Sequence, residues 1–232
     1  MRDQNKFDPQ GIVQRYAGNT VIFHFDQQGE NSTLFREMLK IYRILPKYSF
    51  FKKVVMLPTS SYHMTIFNCT NDERLPGTWP VDLPQSASMD ECTEHLKQKL
   101  SNLPLKFSMP FKFSLDLEVE EYVDDMGWGL RLKPANEEEA AKVKSFRDQL
   151  ASQLGIRYSN HDNFQLHASV CYFLEDFTAA ERVEFLKFSD EVHRTISEVC
   201  TVIELGPPEF CSFVDMYHFD RLLWLKPGDS DR

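Results

Sequence analysis

Tyr62-His63-Met64-Thr65-Ile66-Phe67 and Leu166-His167-Ala168-Ser169-Val170-Cys171 are the stretches on which the fold and the function of this 232-residue chain turn. Both are rich in β-branched, aromatic and small apolar residues, the composition of a strand. Side chains alternate across a strand, so His63 and Thr65 share one face while Met64 and Ile66 take the other. The same holds for His167 and Ser169 against Ala168 and Val170. Each strand thus offers an imidazole beside a hydroxyl on one face and an apolar surface for a core on the other.

The surroundings of the two stretches repeat. A strand Thr20 to Phe25, a helix capped by Asn31 or Ser32 and running to about Leu45 before Pro46, and the His63 strand form one series. A strand Trp128 to Leu132, a helix Glu137 to Leu154 capped by Asn136 and closed by Gly155, and the strand Gln165 to Phe173 form another. Asn31 to His63 is 32 positions and Asn136 to His167 is 31. Two strand ends also match, Leu130-Arg131-Leu132-Lys133-Pro134 and Leu223-Trp224-Leu225-Lys226-Pro227. The remaining elements read as a strand Val54 to Leu57, a loop from Asn71 to Pro84, a helix Met89 to Leu103 and a half-buried strand Phe111 to Leu117. A helix capped by Thr178 and reaching Cys200 follows, with closing strands Val202 to Leu205, Glu209 to Val214 and Arg221 to Leu225. The expectation is one bilobal α+β domain over residues 1–232, with mostly antiparallel sheets duplicated around a central cleft, helices outside, and pseudo-repeats at about 20–117 and 126–226.

Composition narrows the function. Hydrophobic residues make up 42% and charged residues 26%, an ordinary globular balance. The net charge of −9 opposes binding to duplex DNA or long RNA but leaves small or terminal phosphates open. Five scattered cysteines with no C-x-x-C pair read as reduced thiols in a cytoplasmic protein. No apolar run approaches a membrane span, and monomer is the default.

Two imidazoles and two hydroxyls converging across a cleft suit phosphodiester chemistry. A neutral imidazole takes a proton from water or a ribose 2′-hydroxyl, and a protonated one gives a proton to the leaving alkoxide. The hydroxyls of Thr65 and Ser169 hold the phosphoryl oxygens. A single H-x-[ST] is weak: His193-Arg194-Thr195 is a third, but on a helix its His and Thr point about 200° apart. Matched positions in matched halves give the pair its weight against two core histidines, each satisfied by a neighbouring hydroxyl. A zinc hydrolase built on His63, His167 and a carboxylate lacks an H-E-x-x-H or comparable cluster, and no G-x-S-x-G marks a nucleophilic serine.

Two H-x-[ST] strands about a hundred residues apart in a duplicated α+β chain resemble the two-histidine (2H) phosphoesterase superfamily, which includes the LigT-like cyclic phosphodiesterases. His63 to Phe67, followed by Arg74 and Trp79-Pro80, is most similar to a poorly characterised bacterial branch of it. The resemblance implies a bilobal fold and metal-independent, cofactor-free hydrolysis or transesterification of 2′,3′-cyclic or related phosphodiesters of nucleotides or RNA ends. It implies His63 and His167 as catalytic residues, with Thr65 and Ser169 as phosphate-binding ones. The alternative is a non-catalytic nucleotide-binding module of the same fold. Arg74 and Trp79, on the loop after the first motif, are candidates for phosphate binding and base stacking. Arg157, Tyr158 and Tyr172 are candidates for the cleft wall, each set against a packing role. His24 reads as a satisfied core residue, His161 with Asp162 as a solvated turn, and His218 with Asp220 as a surface pair.

Overall fold

The computed structural model describes residues 6–75, 77–102, 104–117 and 127–228. Nine strands and four α-helices stand among them: β1 Gly18–His24, α1 Thr33–Ile44, β2 Val54–Met56, β3 His63–Asn71, α2 Met89–Ser101, β4 Phe111–Leu115, β5 Gly127–Pro134, α3 Glu137–Leu154, β6 His167–Phe173, α4 Ala179–Val199, β7 Ile203–Leu205, β8 Glu209–Phe213 and β9 Asp220–Trp224. The strands form two antiparallel sheets, a four-stranded one in the order β3-β1-β8-β9 and a five-stranded one in the order β2-β6-β5-β4-β7. The fold is α+β, as the sequence predicts.

Side-chain caps open α2, α3 and α4, whereas α1 follows Ser32 without the cap expected of it, since the Ser32 hydroxyl donates to the carbonyl of Gly29 at 2.7 Å. Asn136 accepts from Glu139 N at 2.9 Å, and Gly155 ends α3 in the left-handed region at φ 67°, where a Cβ would be strained. Thr178 with Glu181 and Ser88 with Glu91 form reciprocal capping boxes at α4 and α2. The expected end of the second helix at Leu103 and the repeat boundary at residue 126 lie outside the described residues; α2 ends at Ser101. A run of 3₁₀ turn over Ser49–Lys53 escapes the sequence reading.

The sheets cross the expected repeats. β8 and β9, from the C-terminal half, complete the sheet of β1 and β3, while β2 and β4, from the N-terminal half, flank β6 and β5. Aromatic packing fills the interior, with Phe50, Phe185, Phe188 and Trp128 on one side and Phe23, Phe111, Phe113 and Phe146 on the other. Gly129 lies where β5 and β6 pinch together at a register irregularity. A Cβ there would fall 1.9 Å from the carbonyl oxygen of Ala168, so the glycine permits the close pairing that aligns the second motif.

One side chain on α3 ties both motif strands to the frame. Arg147, 6% exposed, donates through Nη1 to the carbonyl of Ile66 on β3 and through Nη2 to the carbonyl of His161, in the loop leading to β6, at 2.9 Å. Its guanidinium stacks 4.2 Å from the centre of the Phe164 ring. Burial pulls its pKa down to about 10, while Asp148 and Asp162 oppose the shift, so it is charged at neutral pH. Arg147→Met should cost about 3 kcal/mol, because two buried carbonyls lose a charged donor. Urea unfolding should show a lower midpoint at unchanged slope; a loss below about 1 kcal/mol would contradict the staple.

Candidate active site

β3 and β6 alternate as their sequences predict. Met64, Ile66, Ala168 and Val170 are fully buried, while His63, Thr65, His167 and Ser169 face one cavity of about 360 Å³. Tyr62 turns the other way, into the core against Phe35. The histidines are held alike. His63 Nδ1 lies 2.6 Å from the carbonyl of Ser61 and His167 Nδ1 lies 3.1 Å from that of Gln165, each two residues upstream. A carbonyl only accepts, so each Nδ1 carries the proton and the neutral ring presents its lone pair at Nε2.

Their surroundings differ. His63 packs against Phe219 with ring centres 4.2 Å apart, and its strand partner His24 stands 6.2 Å away. Burial, reinforced by His24 and His167, pulls the His63 pKa down to about 3 against the opposing pull of the Ser61 carbonyl. His63 is therefore neutral at pH 7. His167 is exposed, and its partner across the β5–β6 ladder is Arg131, another residue of the cavity wall.

Of the other candidates, Tyr158 and Tyr172 line the cavity; burial pushes the Tyr158 phenol up. Arg74, Trp79 and Arg157 stand elsewhere. Arg74 stacks on Trp79 at 4.2 Å and donates to the carbonyls of Gln85 and Ala87, while Trp79 Nε1 donates to those of Leu83 and Pro84. These two close the 71–84 loop upon itself. Arg157 pairs with Asp162 at 2.9 Å and Asp148 at 3.6 Å. His161 is buried, against the solvated turn expected, because Asp148 of α3 reaches its Nε2 at 2.9 Å. His218 pairs with Asp220 at the surface, as expected.

Sequence reasoning overlooks Arg131, Lys6 and the aromatic wall of Tyr16, Phe213 and Phe219. The signal for Arg131 was its alternation with Leu130 and Leu132; that for the aromatics lies only in tertiary packing. Lys6 sits over the rings of Tyr16 and Tyr172 at 5.1 and 5.3 Å.

Two groups among the described residues bring metal-ligand atoms within 4.8 Å of one another, His24-Glu209-Cys211 and Asp148-His161-Asp162. In the first, Glu209 already accepts from His24 at 2.8 Å and from Arg221 at 3.3 Å, and burial pushes the Cys211 thiol up. In the second, Lys144 and Arg157 pair with the carboxylates. Neither group includes a residue of the two motifs.

A protein-family model labelled 2H-phosphodiest, described as a domain of unknown function (DUF1868), matches residues 6–122. The chain belongs to this 2H phosphodiesterase family. The matched segment contains the first motif and ends before β5, so the second motif stands on its geometry. No curated protein matches the chain. A conserved protein of unknown function from Agrobacterium tumefaciens str. C58 has a similar structure, with a TM-score of 0.83 at 25% identity over 95% of this 2H chain and 90% of that one. More distant are a phosphoesterase, TM-score 0.44 at 11% identity over 89% of this chain and 95% of that one, and a protein from Thermus thermophilus, TM-score 0.38 at 11% identity over 84% and 86%. Among the described residues no helix is long and apolar enough to cross a membrane.

The depressed pKa of His63 has a measurable consequence. Between the ordinary imidazole value of 6.5 and about 3, the unfolded chain binds more protons at this site than the folded one. The His63 contribution to stability is complete above that window and declines as pH falls through it. The stability lost by the wild type between pH 7 and pH 5 should therefore exceed that lost by His63→Gln; equal losses in urea titrations would contradict the burial of this ring.

Proposed function

We propose that this protein is a metal-independent phosphoesterase that hydrolyses or transesterifies 2′,3′-cyclic or related phosphodiesters of nucleotides or RNA ends. The observation that carries this reading is the matched tether: two H-x-[ST] strands, each imidazole fixed through Nδ1 to the carbonyl two residues upstream, opening into one cavity. Family membership supports phosphoester chemistry at that cavity.

In hydrolysis, neutral His63 accepts through Nε2 a proton from water as its oxygen bonds to phosphorus. Protonated His167 donates through Nε2 to the alkoxide as the P–O bond breaks. Thr65 and Ser169 donate to the non-bridging oxygens, where charge accumulates. The order of roles rests on environment: the ring beside Phe219 is kept neutral by burial, and the role of donor falls to the exposed His167. The products are a phosphomonoester and a free hydroxyl. A cavity of about 360 Å³ lies in the range of a small-molecule site, and its aromatic wall offers faces on which a nucleobase stacks.

With EDTA present, the wild type should hydrolyse 2′,3′-cyclic nucleotides, and His63→Ala or His167→Ala should each lower kcat by about a thousandfold, within the range of general acid–base catalysis. Thr65→Val and Ser169→Ala should each cost about 10- to 100-fold. The kcat/KM profile should be bell-shaped, with its acid limb below pH 6.5 because His63 must be neutral. Full turnover without either histidine would defeat the reading. Nucleotide binding without turnover would make the chain a binding module.

A further inference from the structure

We infer that Arg131 is a substrate-contacting residue that binds the phosphoryl anion beside His167, and that Gln165 aims it. The inference rests on the cavity reading above and adds a residue that the two motifs do not contain. Three observations converge on it. Arg131 faces His167 directly across the β5–β6 ladder, so the two side chains leave the same face of the sheet. Both line the cavity that also receives His63, Thr65 and Ser169. Gln165 binds both: its side-chain oxygen accepts from Arg131 Nη1, and its backbone carbonyl accepts from His167 Nδ1. One residue thus sets a guanidinium and an imidazole relative to each other, the arrangement needed to hold an anion while a proton is delivered next to it.

The corresponding position in the first motif is filled differently. There the ladder partner of His63 is His24, whose Nδ1 lies 2.8 Å from the buried Glu209 carboxylate. Glu209 is also paired with Arg221 at 3.3 Å, so the His63 side offers a carboxylate and a cation bound to each other outside the cavity, whereas the guanidinium on the His167 side lines the cavity itself, and this breaks the near-symmetry of the cleft. An anion is attracted to the His167 side, which places a non-bridging phosphoryl oxygen against Arg131 and the departing oxygen against His167. Desolvation lowers the Arg131 pKa while Asp116 raises it, but a guanidinium stays cationic at neutral pH. In a chain of net charge −9, such a cation lining the cavity gives it a local preference for phosphate.

The test uses inorganic phosphate and a 2′-nucleoside monophosphate as probes in EDTA, with affinity read by calorimetry and occupancy by the ring resonances of His167. Arg131→Gln should weaken phosphate binding at least tenfold and raise KM for a 2′,3′-cyclic nucleotide similarly. Arg131→Lys should recover part of the affinity, as a point charge without the planar fork. Gln165→Ala should fall between wild type and Arg131→Gln. Arg194→Gln, on the outer face of α4, should match the wild type and so controls for net charge. Unchanged thermal unfolding of Arg131→Gln separates binding from folding; should that variant unfold, the Arg131→Lys deficit decides alone. Phosphate affinity in Arg131→Gln within twofold of wild type, or no phosphate binding by the wild type, would overturn the inference. A wild type that binds phosphate through Arg131 yet turns over no cyclic nucleotide would leave the anion site standing and remove the hydrolase reading. Turnover with KM unchanged in Arg131→Gln would do the reverse.

Discussion

The site depends on a buried guanidinium that belongs to neither motif. Arg147 reaches from α3 to the backbone of β3 and to the loop that delivers β6, and so sets the two histidine-bearing strands against a single reference. β3 is the edge of its sheet, and an edge carbonyl without a partner is costly when buried. A charged donor satisfies that carbonyl where no further strand can pair. The frame beneath the cleft is thus polar as well as aromatic.

Upon that frame the two halves build the same device and then depart from it. The shared part is the Nδ1 tether, which fixes tautomer and ring orientation in both motifs through backbone carbonyls two residues upstream. The divergent part is the neighbour on the adjoining strand: His24 engaged with Glu209 on one side, Arg131 engaged with Gln165 on the other. A reaction that needs one proton acceptor and one proton donor is served by this departure from symmetry, since two identical environments would hold both imidazoles in the same state.

Much of this was legible in the chain. The bounds of α3 follow from Asn136 and Gly155, and the start of α4 from Thr178, because capping is local chemistry. The motif strands were legible because their alternation repeats. What escaped depended on which strand lies beside which. Arg131 carries meaning only once β5 and β6 are in register, and His161 only once α3 brings Asp148 to it. Arg74 and Trp79 carried the right chemistry for a phosphate and a base, but the 71–84 loop folds them onto each other. A sequence shows the residue types; it does not show that a guanidinium and an indole are already occupied.

The exchange of strands between the sheets also bears on how the molecule comes into being. β1 is flanked by β3 on one side and β8 on the other, and β8 is drawn from residues 209–213. The sheet that carries His63 is therefore incomplete until β8 and β9, far along the chain from β3, have left the ribosome. A topology weighted to such distant pairings folds slowly and leaves strand edges exposed in the interim. Neither half contains every strand of its sheet, so a chain cut between the motifs must find its complement before His63 meets Phe219.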